Sequence, residues 1–272
     1  LGGYLVFGIN EIVPRGIQFL FLILTGVYII KLMKLWYPKV PELSIFSTVL
    51  FFPPFFHFSN TGLLTCGVMF FFVAITYHLI KGILTEADIE LFYFSFFLMT
   101  GLVYRRLVAG IFPAVGIYLF YLYFRKKIKR AEIVKYSKIL ILAILFAMPL
   151  YVSGVFTGIR DTAFVLRNIL SLSSITAGIT GFLRTNNLVL NIIVAISVFY
   201  YFLKLRRPLV IYWVLLTISY YIWISLSGGA MYYIRYFQPL YLVFIILFVI
   251  LLTEGYNNRF VYGKEVSVIL AI

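Results

Sequence analysis

The chain is poor in charge. Only 12% of its 272 residues are Asp, Glu, Lys or Arg, against about 25% in soluble domains. It holds one cysteine, Cys66, and two histidines, His57 and His78. A single thiol excludes an internal disulfide and a thiolate metal site. Two imidazoles leave little for a zinc or haem centre, so no metal site is expected. No Walker loop, HExxH, GxSxG or dinucleotide fingerprint occurs in the sequence, and no internal repeat is evident. What the chain has instead is apolar: 63% of it is hydrophobic and 20% aromatic, with a mean hydropathy of +1.05. A soluble enzyme, a disordered tail and a disulfide scaffold are thereby excluded, and a polytopic membrane protein is expected. The net charge of +14 is ascribed to membrane topology and a phosphate ligand rather than to nucleic acid.

The first residues, Leu1 to Phe7, already lie in an apolar run, with neither an initiator Met nor a signal peptide. The last run, Val266 to Ile272, stops abruptly. The chain is therefore expected to be a fragment lacking its start.

A membrane-spanning helix needs about 20 apolar residues. Hydropathy predicts spans at 17–33, 43–58, 63–80, 89–104, 107–124, 139–157, 188–203, 209–226 and 236–253. These runs are apolar on every face, unlike the alternating strands of a barrel, and in lipid a helix satisfies its own backbone. The fold class is thus an all-α, polytopic transmembrane bundle of about nine spans. Residues 1–272 form a single transmembrane domain, with 1–16 an outside segment.

Lys and Arg set the orientation. Segment 125–138, RKKIKRAEIVKYSK, is the most basic connection and is expected to be a cytoplasmic loop. Alternation then puts 31–42, 81–88, 204–207 and the tail from Glu254 inside as well. It puts 1–16, 58–62, 105–106, 158–187 and 227–235 outside, with 158–187 as an extracytoplasmic loop. The inside carries eleven Lys and five Arg. Every basic residue outside is Arg: Arg15, Arg105, Arg106, Arg160, Arg167, Arg184 and Arg235. Only Glu11 and Asp161 accompany them. Positive charge is disfavoured on the translocated side, so its presence asks for a reason. The planar guanidinium fork binds phosphate bidentately and keeps its charge when desolvated. Solvated loops or headgroup anchors would also explain any single Arg. For Arg105, Arg106 and Arg235, at helix ends between apolar spans, binding of a phosphate is the reading preferred.

The outside turns carry the other candidates. Glu11 and Arg15 stand four apart and can pair on a helix, with Pro14 suited to the first turn of the span. Pro53 and Pro54 break a helix beside His57, Ser59 and Asn60. Those side chains can meet sugar hydroxyls or phosphate, or simply cap the next helix. Asp161 beside Arg160 reads as a catalytic acid or, more simply, a local salt bridge. Gly228 and Gly229 lead into Tyr232, Tyr233, Arg235 and Tyr236, where an aromatic belt explains the tyrosines and sugar stacking is the functional alternative.

Taken in order, these turns resemble the GT-C membrane glycosyltransferases that use polyprenyl-phosphate sugars, nearest to the protein O-mannosyltransferase and aminoarabinose transferase branch. Gly8, Glu11 and Arg15 stand at the spacing of that branch's N-terminal motif. Pro53, Pro54, Phe55, His57 and Ser59 resemble its second turn, with Asn60 where Arg is usual. Gly101 with Arg105 or Arg106 resembles its third, and Arg235, Tyr236 and Pro239 its C-terminal motif at altered spacing. The resemblance covers roughly residues 5–250.

It implies a glycosyltransferase moving a sugar, with inversion, from a polyprenyl- or dolichyl-phosphate donor to an extracytoplasmic hydroxyl of a protein, glycolipid or glycan. Arg105, Arg106 and Arg235 would hold the donor phosphate. The family's acidic catalytic residue would precede Leu1, so the catalytic residue is unknown. No cofactor is certain beyond the lipid-linked donor, and a divalent metal is left open. The expected setting is the lipid bilayer, a prokaryotic plasma membrane rather than the endoplasmic reticulum, with no nucleic acid. A transporter or flippase, or an O-antigen-type polymerase or ligase for a lipid-linked substrate, is the alternative. Scarce charge inside the spans counts against a proton-coupled pump.

Overall fold

The computed structural model describes residues 12–37, 39–52, 55–56, 59, 65–158, 192, 195, 199, 208–226 and 234–257. All regular structure among these residues is helical. In chain order the helices are α1 (Ile12–Lys34), α2 (Glu42–Phe51), α3 (Thr65–Thr85), α4 (Asp88–Tyr104), a 3-10 helix (Arg106–Gly110), α5 (Ile111–Phe124), α6 (Arg130–Gly158), α7 (Pro208–Leu226) and α8 (Ile234–Asn257). Among the described residues, three stretches are long and apolar enough to cross a membrane: Ile12–Lys34, Thr65–Thr85 and Leu107–Phe124.

The helix ends follow local chemistry. Pro14 falls in the first turn of α1 and Pro208 opens α7, where a missing N–H costs no hydrogen bond. α2 stops at Phe51, and Phe52 is extended at φ −61° and ψ 114°, the conformation favoured before proline. The run predicted as the span 43–58 therefore contains a ten-residue helix. α5 ends by donating the Lys126 N–H to the Tyr123 carbonyl at 2.8 Å and the Lys127 N–H to that of Leu122 at 2.9 Å, a Schellman closure. Lys126 takes φ 53° to make it, and Glu86 takes φ 54° just past the end of α3. The basic connection 125–138 is only partly a loop, because α6 already begins at Arg130. The predicted loop length is corrected accordingly. Most of the predicted span 188–203 and of the 158–187 loop lies outside the described residues.

Helix α3 is the centre. Sixteen of its 21 residues are buried, and it packs against α1, α4 and α8. Helix α7 packs on α5 and on the 3-10 helix, and α6 on α4. Lipid is as apolar as these side chains, so helix contacts in it depend on close packing and small residues. A Cβ at Gly67 would strike the Tyr104 ring of α4, and one at Gly82 the Tyr136 hydroxyl of α6. Phe21, Phe71 and Tyr104 meet edge-on or tilted with centroids 5.3–6.0 Å apart.

Polar side chains within the bundle are mostly served locally. Thr25, Thr76, Thr217 and Thr253 each donate to the carbonyl four residues earlier, as a hydroxyl in an apolar medium must. The proton of Thr76 goes to Phe72, so its 3.0 Å contact with the fully buried Tyr212 is donated by the tyrosine. Ser219 of α7 donates to the Gly110 carbonyl, tying α7 to the end of the 3-10 helix.

Candidate functional site: an arginine-bearing rim

One interhelix bond positions the rim. Gln18, one turn after Arg15 on α1, is buried and donates from Nε2 to Tyr104 Oη at 3.0 Å. Its Oε1 lies 3.4 Å from the Gly67 N–H. The start of α1, the start of α3 and the end of α4 therefore share one end of the bundle. Arg15 is exposed there, and Arg105, half-buried, follows Tyr104 directly. Arg105 is extended, with its N–H donating to the Gly101 carbonyl and its own carbonyl accepting from Val108 at 3.0 Å. Arg106 then opens the 3-10 helix. The predicted two-residue turn is thus one extended residue followed by a 3-10 segment, which turns the chain without an intervening loop.

The direction of α8 brings in a fourth arginine. Tyr37, just past α1, donates to Glu254 Oε1 at 3.0 Å, and Asn257 donates to the Lys39 carbonyl at 2.6 Å. The C-terminal ends of α1 and α8 therefore meet, and the two helices run in parallel. A 24-residue helix is about 36 Å long. Arg235 and Tyr236, in the first turn of α8, accordingly lie at the Arg15 end. Ser59 is buried and donates to the Phe56 carbonyl at 2.8 Å, so its proton serves the chain rather than a ligand. Glu11, His57, Asn60 and Asp161 lie outside the described residues.

Thr65, at the same end, is fully buried, and its hydroxyl has no hydrogen-bond partner among the described residues. Gln18 is not among the residues singled out from the sequence. The available signal for Gln18 was its three-residue spacing from Arg15, which puts the two on one helical face.

A second polar cluster, also missed, lies toward the opposite end. Glu90 on α4 is buried between two partners from α3: His78 Nδ1 at 2.6 Å from Oε2, and Lys81 Nζ at 2.5 Å from Oε1. Glu90 can only accept when ionised, so Nδ1 is the protonated nitrogen and Nε2 accepts from Tyr28 Oη of α1 at 3.4 Å. Phe97 stacks on the imidazole at 5.2 Å, and Tyr77 and Tyr93 flank it. His78 and Lys81 stand three apart on α3, and Glu90 sits in the first turn of the next helix, which is the pattern that would have revealed the cluster. Charge inside the predicted spans is scarce, and Glu90, near the start of the span 89–104, is held by His78 and Lys81. Outside it, Lys129 pairs with Glu86 and Lys135 with Asp88. The Asp88 hydrogen bond raises the Lys135 ammonium above its ordinary range.

Among the described residues no three His, Cys, Asp or Glu side chains group to hold a metal ion. No family model, curated protein or solved structure matches the chain.

Proposed function

We propose that the chain is the membrane part of a glycosyltransferase that takes its sugar from a polyprenyl-phosphate donor and passes it to a hydroxyl on the extracytoplasmic side. In this reading about nine spans cross a prokaryotic plasma membrane. The observation that carries it is the Gln18–Tyr104 bond, which sets Arg15 and Arg105 at one end of the bundle, the end where α8 carries Arg235 in its first turn. A lipid-linked phosphate reaches such a rim with its tail still in the bilayer, and guanidinium groups suit its oxygens. As the bond from sugar to phosphate breaks, negative charge grows on the phosphate, and Arg105, Arg106 and Arg235 stabilise it. The hydroxyl of Thr65, buried without a partner among the described residues, offers one more donor at that end. No residue of the chain is put forward as the base that takes the acceptor's proton.

In the complete protein, the Arg105→Ala/Arg106→Ala variant is expected to lose at least about 10²-fold in transfer rate, with expression and membrane insertion intact. The assay is sugar transfer in membranes supplied with a polyprenyl-phosphate sugar. Unchanged turnover removes the proposal.

A transporter of a lipid-linked anion is the second reading, favoured by the buried Glu90–His78–Lys81 cluster, since ionisable groups inside a bundle often mark transport pathways. Movement of the donor across vesicles without sugar transfer would select it.

A further inference from the structure

At the end opposite the arginine rim, the turn between α5 and α6 folds into a concave basin of about 520 Å³. The closing turns of α3 and α5 and the opening turn of α6 form its walls. Lys126, Lys127, Lys129 and Arg130 line it, against two carboxylates, Glu86 and Glu132. Glu86 is already held by Lys129 at 3.0 Å. Lys126, Lys127 and Arg130 form no ion pair with the described residues, so the basin has a surplus of positive charge. Orientation by basic residues accounts for such charge near the membrane. It does not require that the charges line one concavity, or that Lys126 occupy a left-handed backbone position where glycine is usual.

The basin also has an apolar side. Tyr123 and Phe124 belong to its lining, and Phe124 is 78% exposed. Phe120 and Ile117 are exposed on the same face of α5, four and seven residues before Phe124. A cationic hollow therefore opens onto an apolar track running up the membrane side of α5. That sequence of surfaces matches an amphiphile with a phosphate head and hydrocarbon tails.

We propose that this basin binds the headgroup of an anionic phospholipid from the leaflet at the lysine-rich end, with the acyl chains lying along Ile117, Phe120 and Phe124. Basic pockets between helices at the cytoplasmic face recognise headgroups in this way. The inference rests on the membrane reading and is independent of glycosyl transfer, so a failed transfer assay leaves it standing.

The test uses the full chain purified in detergent and exchanged with phosphatidylglycerol or phosphatidylcholine of identical acyl chains. Retained lipid is counted by native mass spectrometry. The wild-type chain is expected to retain phosphatidylglycerol in preference. Lys126→Gln/Lys127→Gln/Arg130→Gln is expected to lose that preference by about fivefold per charge removed. Lys135→Gln/Lys138→Gln, on α6 beyond the basin, is expected to keep it. Equal retention of the two lipids by the wild-type chain overturns the proposal, as does an unchanged preference in the triple variant. Should the triple variant fail to fold, salt titration of the wild-type chain decides: the preference falls as salt rises, and a salt-independent preference overturns it. Glycerol phosphate is the remaining arm. Displacement of lipid at equal concentration means that the tails contribute nothing, and it overturns the lipid assignment in favour of a soluble phosphate.

Discussion

Glu86 and Lys126 both hold left-handed backbone at the end of a helix. An L residue with a Cβ costs roughly 1–2 kcal/mol in that region, and glycine avoids the cost. Glu86 gives up little else, because its pair with Lys129 is largely exposed and such pairs contribute about 0–1 kcal/mol. Glu86→Gly is therefore expected to leave thermal stability unchanged or slightly raised. Glu86→Val, β-branched at the same φ, is expected to fall below it by about 1–2 kcal/mol. Thermal unfolding of the two variants in the same detergent checks the difference, and equal melting of the two would refute the backbone argument. The arginines differ in how far residue type alone decides their role. Arg105 is placed by its own backbone bonds to Gly101 and Val108, whereas Arg15 depends on its neighbour Gln18 reaching Tyr104 on another helix.

Between elements, the α3–α4 hairpin is joined at both ends by polar contacts. Toward one end Gln18 bridges Tyr104 and Gly67. Toward the other, Glu90 accepts from His78 and Lys81. Removing Glu90 leaves the buried His78 Nδ1–H without its acceptor, and an unmet buried donor costs about 1–3 kcal/mol. Glu90→Ala is expected to destabilise by that order. His78→Phe with Glu90→Leu, which removes the need for the pair, is expected to recover much of the loss, since Lys81 is partly exposed and can turn to water. Denaturant titration in detergent reads both. A full loss in the double variant would show that the cluster does more than satisfy its own charges. Close packing acts alongside these bonds: with Gly67 against the Tyr104 ring, the α3–α4 interface has no room for a larger residue at that position.

At the scale of the whole molecule, the bundle has two chemically distinct ends. One carries Arg15, Arg105 and the start of α8, and the other carries Lys34, Lys39, Lys81 and the 125–130 turn. The labelling test is direct, because Cys66 is buried and adds little background. A membrane-impermeant maleimide applied to right-side-out vesicles is expected to modify Arg15→Cys and to spare Lys127→Cys until the membrane is opened. Modification of both from one side would overturn the orientation. Most helix positions were legible in the sequence: the predicted spans 63–80, 89–104, 107–124, 209–226 and 236–253 each fall on or near a described helix. Run length and hydropathy are properties of consecutive residues, and in an apolar medium a long apolar run has helix as its available form. The basic segments could likewise be assigned to ends by counting along the chain. Facing could not be read in this way. Helices that are apolar all round carry no stripe to say which side meets which neighbour. The Gln18–Tyr104 bond joins residues 86 apart, and the basin joins the ends of α3 and α5. Only packing in three dimensions decides such pairings, because it depends on which side chains fit together after the helices have formed.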